Sequence, residues 1–109
     1  MFARISTIAA TSVAAAALGL AAFAGAGTAS AGSVDDQFLN NIDAEGIAFD
    51  SATGAIQDAH LVCEYMADGQ SVGSIGREIL NNTDLTTHQA AVFVVESVSA
   101  YCPGYLGEI

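Results

Sequence analysis

The stretch that decides the fold is TTHQAAVFVVESVSAYCPG, residues 86–104. Thr86 and Gln89 have the spacing of a capping box, which begins a helix, and Pro103 ends it. The segment from Thr87 to Cys102 is therefore predicted to be a helix. A strand over its Val-Phe-Val-Val run is the alternative, because β-branched and aromatic residues favour strands. One face of the helix is apolar and consists of Ala91, Val94, Val95, Val98, Tyr101 and Cys102.

Three further segments with helical periodicity precede this one, and each begins after a Ser or Thr that can act as its N-cap. The segments are Val34–Ala44 after Ser33, Ala52–Ala67 after Ser51 (or capped by Thr53), and Val72–Asn81 after Ser71. The sequence thus predicts an all-α fold, a small bundle of about four short helices, with the last five residues loose. The predicted core consists of Phe38, Ile42, Ile56, Ala59, Val62, Met66, Ile75, Ile79, Val94, Val95 and Val98.

Residues 1–31 have the pattern of an export signal. Arg4 supplies the positive charge, and an apolar run over residues 13–24 precedes the cleavage motif Ala29-Ser30-Ala31. We expect removal of residues 1–31 after Ala31, a single helical domain over residues 32–109, and a location outside the cell or in the cell envelope. An uncleaved N-terminal anchor is the alternative, because the uncharged run is long enough to span a bilayer.

Two cysteines, Cys63 and Cys102, lie in the predicted mature part. Export places them where disulfides persist, and two cysteines allow one intramolecular pairing. Such a bridge would close a loop of about 40 residues and stabilise the fold by roughly 4 kcal/mol in the chain-entropy model. Two free buried thiols or an intermolecular bridge are the alternatives. The two residues are too far apart in sequence for a C-x-x-C redox motif.

The charge distribution excludes two classes of partner. All 12 acidic residues follow residue 31, where Arg77 is the one basic residue, so the predicted mature part carries a net charge of −11. Nucleic acids and anionic membrane surfaces are bound through Lys and Arg. We therefore expect neither as a partner.

The sequence offers little that could carry catalysis or hold a cofactor. Neither histidine lies in a recognisable catalytic motif, and the G-x-S-x-G nucleophile motif is missing, so the protein is predicted not to be an enzyme. His60 and Glu64 have the i, i+4 spacing of metal ligands, and these two residues with His88 are weak candidates for a metal or haem site. Residues 41–52 resemble the start of a calcium loop, but Ala52 stands where a bidentate Glu is required. We expect no cofactor.

Phe93, Val92 and Leu61 lie off the main apolar faces of their helices. Such residues are either deeply buried or form an exposed contact patch.

The favoured hypothesis for the function of the protein is a secreted or envelope-associated interaction module that binds an unidentified protein partner. A carrier of a small apolar ligand, haem or a metal ion is the second hypothesis, since helices with two apolar sides can enclose a pocket. An enzyme is the third.

A set of short motifs spread over the predicted mature part resembles a known family. The motifs are Asp36-x-Phe38-Leu39, Gly46-Ile47, Val62-Cys63, Gly69 and Tyr101-Cys102-Pro103. They resemble small exported actinobacterial proteins, abundant in mycobacteria, that are classified as a domain of unknown function. The resemblance implies a compact helical domain with one disulfide, which agrees with a Cys63–Cys102 bridge, and it implies export. It implies no activity.

Overall fold

The fold is built from helices, and in three of them the residue before the helix caps the first turn. The computed structural model describes residues 2–7 and 29–109, and the side chains of residues 2–7 and 32–109. The predicted all-α fold is confirmed, with a two-stranded sheet added to it. In chain order, the elements are β1 (Ile5–Thr7), α1 (Ala29–Ala44), β2 (Ile47–Phe49), α2 (Ala52–Ala67), α3 (Val72–Asn82), α4 (Thr87–Tyr101) and a 3₁₀ helix (Pro103–Glu108).

Helices α2, α3 and α4 begin where the sequence predicts, because a hydroxyl oxygen accepts a hydrogen bond from a first-turn amide. Ser51 accepts from the Gly54 amide at 2.9 Å, and Ser71 accepts from the Ser74 amide at 3.1 Å. Thr86 and Gln89 form the complete capping box of α4. The Val-Phe-Val-Val run is thus helical, and the strand alternative is wrong.

Two chain ends differ from the prediction. Helix α1 begins at Ala29, so Ser33 lies inside the helix and does not cap it; the preceding small residues continue the helix. At the other end, four of the five residues predicted to be loose, residues 105–108, belong to the 3₁₀ helix that Pro103 begins. Its Tyr105 amide donates to the Cys102 carbonyl at 3.0 Å, and the Tyr105 ring packs against the core.

Helix α4 lies at the centre and packs against the three other α-helices. Phe93 on α4 is fully buried, and its ring meets that of Phe38 on α1 edge to face at a centroid distance of 5.8 Å. The turn of Phe93 towards the core carries Val95 outward, so Val95 is 37% exposed and its predicted place in the core is wrong. Ile56 is half-buried at the edge of the core. The other predicted core residues are buried, namely Phe38, Ile42, Ala59, Val62, Met66, Ile75, Ile79, Val94 and Val98.

The disulfide joins the C-terminal parts of α2 and α4. Cys63 and Cys102 are bonded, with their Cα atoms 6.0 Å apart. The predicted pairing is confirmed, and no cysteine remains for a redox or intermolecular role. Within the described ranges, none of the helices has the length and apolarity that crossing a bilayer requires.

The N-terminal residues pack into the fold. Strand β1 pairs antiparallel with β2, and Phe2 and Ile5 are 0% and 2% exposed. This small sheet was not predicted. The apolar run over residues 13–24 lies outside the described residues, and the removal of residues 1–31 remains a prediction.

Candidate functional site

The histidines considered as metal or haem ligands make separate contacts. His60, in the middle of α2, lies against the ring of Tyr101 with centroids 4.4 Å apart. His88, in the first turn of α4, has its Nε2 atom 3.2 Å from Oε1 of Glu45. Across residues 2–7 and 29–109, no three side chains of His, Cys, Asp or Glu are grouped to hold a metal ion.

The three apolar residues considered as a contact patch pack inward. Phe93 is fully buried. Val92 and Leu61 are half-buried and lie against the core. These residues therefore do not form an exposed apolar patch.

A groove that the sequence did not predict is the most distinctive surface of the molecule. We call residues Phe2–Thr7 the leader segment, and the surface of β2, α2 and α4 that it covers the leader groove. The leader segment runs through this groove with a turn at Ala3 and Arg4 followed by strand β1, and it is separated in sequence from α1 by residues 8–28. The groove therefore holds a peptide-like ligand that belongs to the same chain.

Backbone hydrogen bonds hold the leader segment against β2. Ile5 lies opposite Phe49 and Thr7 lies opposite Ile47. The amide of Asp50 donates to the carbonyl of Arg4 at 3.2 Å. Since hydrogen-bonded pairs alternate along an antiparallel ladder, the next such pair is Ser6 with Ala48. The amides of Ala48 and Asp50 thus both point at the leader segment.

Two apolar side chains anchor the leader segment. The ring of Phe2 meets those of Tyr65 and Phe93 edge to face, at centroid distances of 5.9 and 6.3 Å. Ile5 is buried three residues further along the chain. Full burial of one such side chain contributes about 1.5–3 kcal/mol. Phe2 and Ile5 are therefore the buried apolar side chains of the leader segment.

A buried carboxyl group faces the leader segment between these anchors. Asp58 of α2 is 1% exposed, and its Oδ2 atom has no hydrogen-bond partner among the described residues. Burial raises the pKa of Asp58, while a backbone hydrogen bond from Arg4 and the positive charge of Arg4 act in the opposite direction. The Arg4 guanidinium itself donates to Oε1 of Gln57. Arg4 therefore supplies a backbone hydrogen bond and a nearby positive charge to Asp58, while its guanidinium bonds Gln57.

The path of the Arg4 side chain requires a glycine below it. A Cβ atom at Gly54 would lie 2.9 Å from Cδ of Arg4 and 3.0 Å from Oγ of Ser51. Such a distance is too short for unstrained contact. The groove therefore leaves room for the stem of a long side chain at this position.

The end of the leader segment is held by side chains of the helix α4 region. The amide of Thr7 donates to Oδ1 of Asp84 at 3.0 Å. Nε2 of Gln89 donates to Oγ1 of Thr7 at 3.0 Å and to the carbonyl of Glu45 at 3.1 Å. The residue that completes the capping box of α4 therefore also contacts the leader segment.

An open depression of about 380 Å³ lies beside Arg4. The lining residues are Arg4, Gln57, Asp58, His60, Leu61 and Glu64. Most of these side chains are polar or charged. The lining therefore differs from the apolar pocket that the carrier hypothesis predicts.

Sequence reasoning missed the leader groove for an identifiable reason. A segment with the pattern of an export signal is expected to be removed, and therefore to make no contacts in the folded domain. The available signals were the spacing of Phe2 and Ile5 and the apolar run Ile47-Ala48-Phe49. Both are only three or four residues long, too short to indicate a strand on their own.

Comparison with known proteins identifies relatives but no activity. The chain is 44% identical over 82 residues to the uncharacterized protein Rv1271c of Mycobacterium tuberculosis, covering 75% of this chain and 73% of that one. It is 43% identical over 108 residues to the uncharacterized protein Mb1323c of Mycobacterium bovis, covering 97% of each chain. No solved structure is significantly similar to it. Residues 34–104 match the family described as protein of unknown function (DUF732), and the chain therefore belongs to that family.

Proposed function

We propose that the protein is an exported or envelope-associated interaction module without catalytic activity, and that the leader groove is its binding site. The observation that carries the proposal is the position of the leader segment. It fills an apolar groove through backbone and side-chain contacts, yet it belongs to a part of the chain with the sequence of a removable export signal. Removal of that part would leave the groove open for a partner.

The extent of the family match supports this proposal. The match begins at residue 34, three residues after the expected cleavage position, so the leader segment lies outside it. The family match thus does not depend on the leader segment, which agrees with a domain that keeps its fold after removal of this segment and has a groove that is open or filled by another occupant.

The chemistry of the open groove also supports binding. Without the leader segment, the amides of Ala48 and Asp50 lose their acceptors, and the rings of Tyr65 and Phe93 lose the Phe2 contact. An unpaired strand edge beside apolar pockets is the surface to which extended peptides add as a further strand. The groove is thus suited to an extended segment of another protein.

The contacts of the two histidines support the absence of catalysis. His60 packs on Tyr101, and His88 is exposed and pairs with Glu45. Nucleophilic catalysis needs a nucleophile, a base and a third group that orients the base. Neither contact has this arrangement.

Affinity capture with peptide competition tests the proposal. Protein purified from the medium of a mycobacterial culture should have an intact mass that corresponds to an N-terminus at Gly32. Immobilised, it should retain a partner from envelope extracts of the same cells. A synthetic peptide with the sequence of residues 2–7 should release that partner, because both would occupy the leader groove.

The uncleaved chain is the matched control. Synthesised without membranes and oxidised in vitro, it carries its own leader segment in the groove and should retain the partner weakly or not at all. A protein from the medium that still contains residues 2–7 would contradict the proposal. Equal capture by both forms, or capture that the peptide does not compete with, would contradict it too.

A further inference from the structure

We propose that the leader groove selects an extended segment of a partner protein that carries an Arg or Lys between two apolar anchors. In this segment, the basic residue lies two positions after an aromatic residue and directly before a β-branched one. The inference rests on the proposed function, in which the leader segment is removed and the groove receives another chain. It adds the chemical class of the partner.

Asp58 supplies the strongest argument for a basic residue. Its carboxyl group is 1% exposed when the groove is filled, and one oxygen has no hydrogen-bond partner among the described residues. A buried carboxylate is costly unless an opposite charge or hydrogen-bond donors accompany it. An occupant without a cation would cover Asp58 and leave it uncompensated. An occupant with a cation at the position of Arg4 would compensate it.

The surroundings of Asp58 complete a receptor for a long basic side chain. Oε1 of Gln57 accepts a hydrogen bond from the guanidinium of Arg4. The missing side chain at Gly54 gives the stem of Arg4 its path, since a Cβ atom there would lie 2.9 Å from Cδ of Arg4. The open depression beside the guanidinium also contains Glu64, which adds negative charge.

The apolar anchors set the spacing on either side of the basic residue. Ala3 and Arg4 form a turn before strand β1, so Phe2 and Ile5, three residues apart, both face the core. Phe2 is buried between two aromatic rings, Ile5 is buried against the sheet, and Ala3 and Arg4 are exposed. The groove therefore favours a segment with an aromatic residue at position one, a basic residue at position three and a β-branched residue at position four. Position two, which corresponds to the exposed Ala3, can vary.

The net charge of the protein favours the same class of partner. The chain carries 12 acidic residues and two arginines, and one of these, Arg4, lies in the leader segment. Removal of the leader segment thus removes a positive charge from the groove. A basic segment would be attracted over a distance of roughly the Debye length, about 8–10 Å at physiological salt.

Peptide titration of the protein recovered from the culture medium tests the inference. One peptide has the sequence Phe-Ala-Arg-Ile-Ser-Thr with both ends blocked. The second has citrulline in place of Arg, which keeps the shape and removes the charge. The Arg peptide should bind about tenfold more tightly, because the guanidinium donates a charge-assisted hydrogen bond to Gln57 and brings a positive charge close to the buried Asp58. A tenfold rise in salt should weaken binding of the Arg peptide much more than binding of the citrulline peptide.

Two variants locate the effect. In Asp58→Asn, the preference for the Arg peptide should fall to about twofold or less, since the negative charge near the position of Arg4 is removed. Glu96→Gln removes the same charge where α4 meets α1, since Glu96 accepts a hydrogen bond from Asn41, and should keep the preference of about tenfold. If Asp58→Asn does not fold, the salt dependence of the two peptides on the unchanged protein decides the question.

The outcomes separate this inference from the proposed function. Equal affinity for the two peptides, or tighter binding of the citrulline peptide, would overturn the selectivity for a basic residue. It would leave the groove as a binding site for apolar segments. Failure of both peptides to bind a protein that begins at Gly32 would overturn the inference as well. Recovery of a protein with residues 2–7 attached would instead overturn the proposed function.

Discussion

At the scale of single residues, Asp58 is the feature that an ordinary core would not contain. A small bundle gains stability from apolar burial, and a buried carboxyl group reduces that gain unless it is paired. Here a backbone hydrogen bond from Arg4 and the positive charge of Arg4 reduce this cost. The residue is therefore explained better by what lies in the groove than by the stability of the helices.

The glycines provide a prediction in which two substitutions have opposite effects. Gly46 has φ +79° and a Cβ atom there would lie 3.3 Å from Nε2 of Gln89, so Gly46→Ala should lower the free energy of unfolding by about 1–2 kcal/mol. Gly73 lies inside α3 with open space around it, so Gly73→Ala should raise it by about 0.5–1 kcal/mol. Urea unfolding measures both. Destabilisation by Gly73→Ala would contradict the solvent-facing position of Gly73.

Tyr101 provides a prediction about pH. Its hydroxyl donates to Oδ1 of Asp35 at 2.5 Å. Burial, and then this hydrogen bond to a carboxylate, raise the pKa of Tyr101 well above its ordinary value. The folded state therefore holds the phenol proton more tightly than the unfolded state. The resulting stability is complete below the unfolded pKa of about 10 and is lost as the pH rises beyond it.

The variant Tyr101→Phe removes this titration. Its free energy of unfolding should be about 1 kcal/mol lower than that of the parent at neutral pH and should fall less steeply between neutral and strongly alkaline pH. Tyr105→Phe is the matched control, because it makes the same change of side chain in the 3₁₀ helix. Parallel alkaline slopes for the parent and Tyr101→Phe would contradict the assignment.

At the scale of elements, the disulfide holds the C-terminal parts of α2 and α4 next to each other. Cys63 and Cys102 are 39 residues apart in sequence, and closing a loop of this length contributes roughly 4 kcal/mol. The double variant Cys63→Ser/Cys102→Ser should lower the free energy of unfolding by about that amount. Urea unfolding of the parent with and without a reductant gives the control. A loss below about 1 kcal/mol would mean that the helices hold their ends without the bridge.

The elements that sequence reasoning predicted well are those with local determinants. Helices α2, α3 and α4 each begin at a hydroxyl that caps the first turn, and this signal spans only a few residues. The disulfide was predictable because two cysteines leave one intramolecular pairing. The start of α1 was not, since the helix continues upstream of Ser33 into residues whose small side chains give no boundary signal.

The elements that sequence reasoning missed depend on distant contacts. Strand β1 pairs with β2 across more than 40 residues of sequence, and neither strand has a periodic pattern of useful length. The exposed position of Val95 has a similar origin. Phe93 faces the core because two other rings, of Phe2 and Phe38, surround it, and this rotates α4 away from the orientation that its valines alone would favour.

At the scale of the whole molecule, we expect the protein to have two forms with the same fold. In the uncleaved form, the leader segment completes the sheet and the core. In the proposed processed form, the same helices and disulfide remain while the groove opens. The helices that line the groove are tied to each other by the Cys63–Cys102 bridge, which favours an open groove over its collapse.

A substitution in the leader segment should affect only the uncleaved form. Phe2→Ala should lower the free energy of unfolding of the uncleaved chain by about 3–5 kcal/mol, because it leaves a cavity between Tyr65 and Phe93. The exposed Ala3→Ser is the control and should have little effect. Protein recovered from the medium should be the same with either substitution. A stability difference there would mean that the leader segment remains attached.

The most direct test of the central claim is hydrogen exchange at the Ala48 and Asp50 amides, compared between the uncleaved chain and the protein from the culture medium. We predict that both amides are protected from exchange in the uncleaved chain, where they donate hydrogen bonds to the leader segment. We predict that the same amides exchange fast in the recovered protein and are protected again when the Arg-containing peptide is added. Full protection of both amides in the recovered protein before any peptide is added would contradict the claim that processing opens this groove.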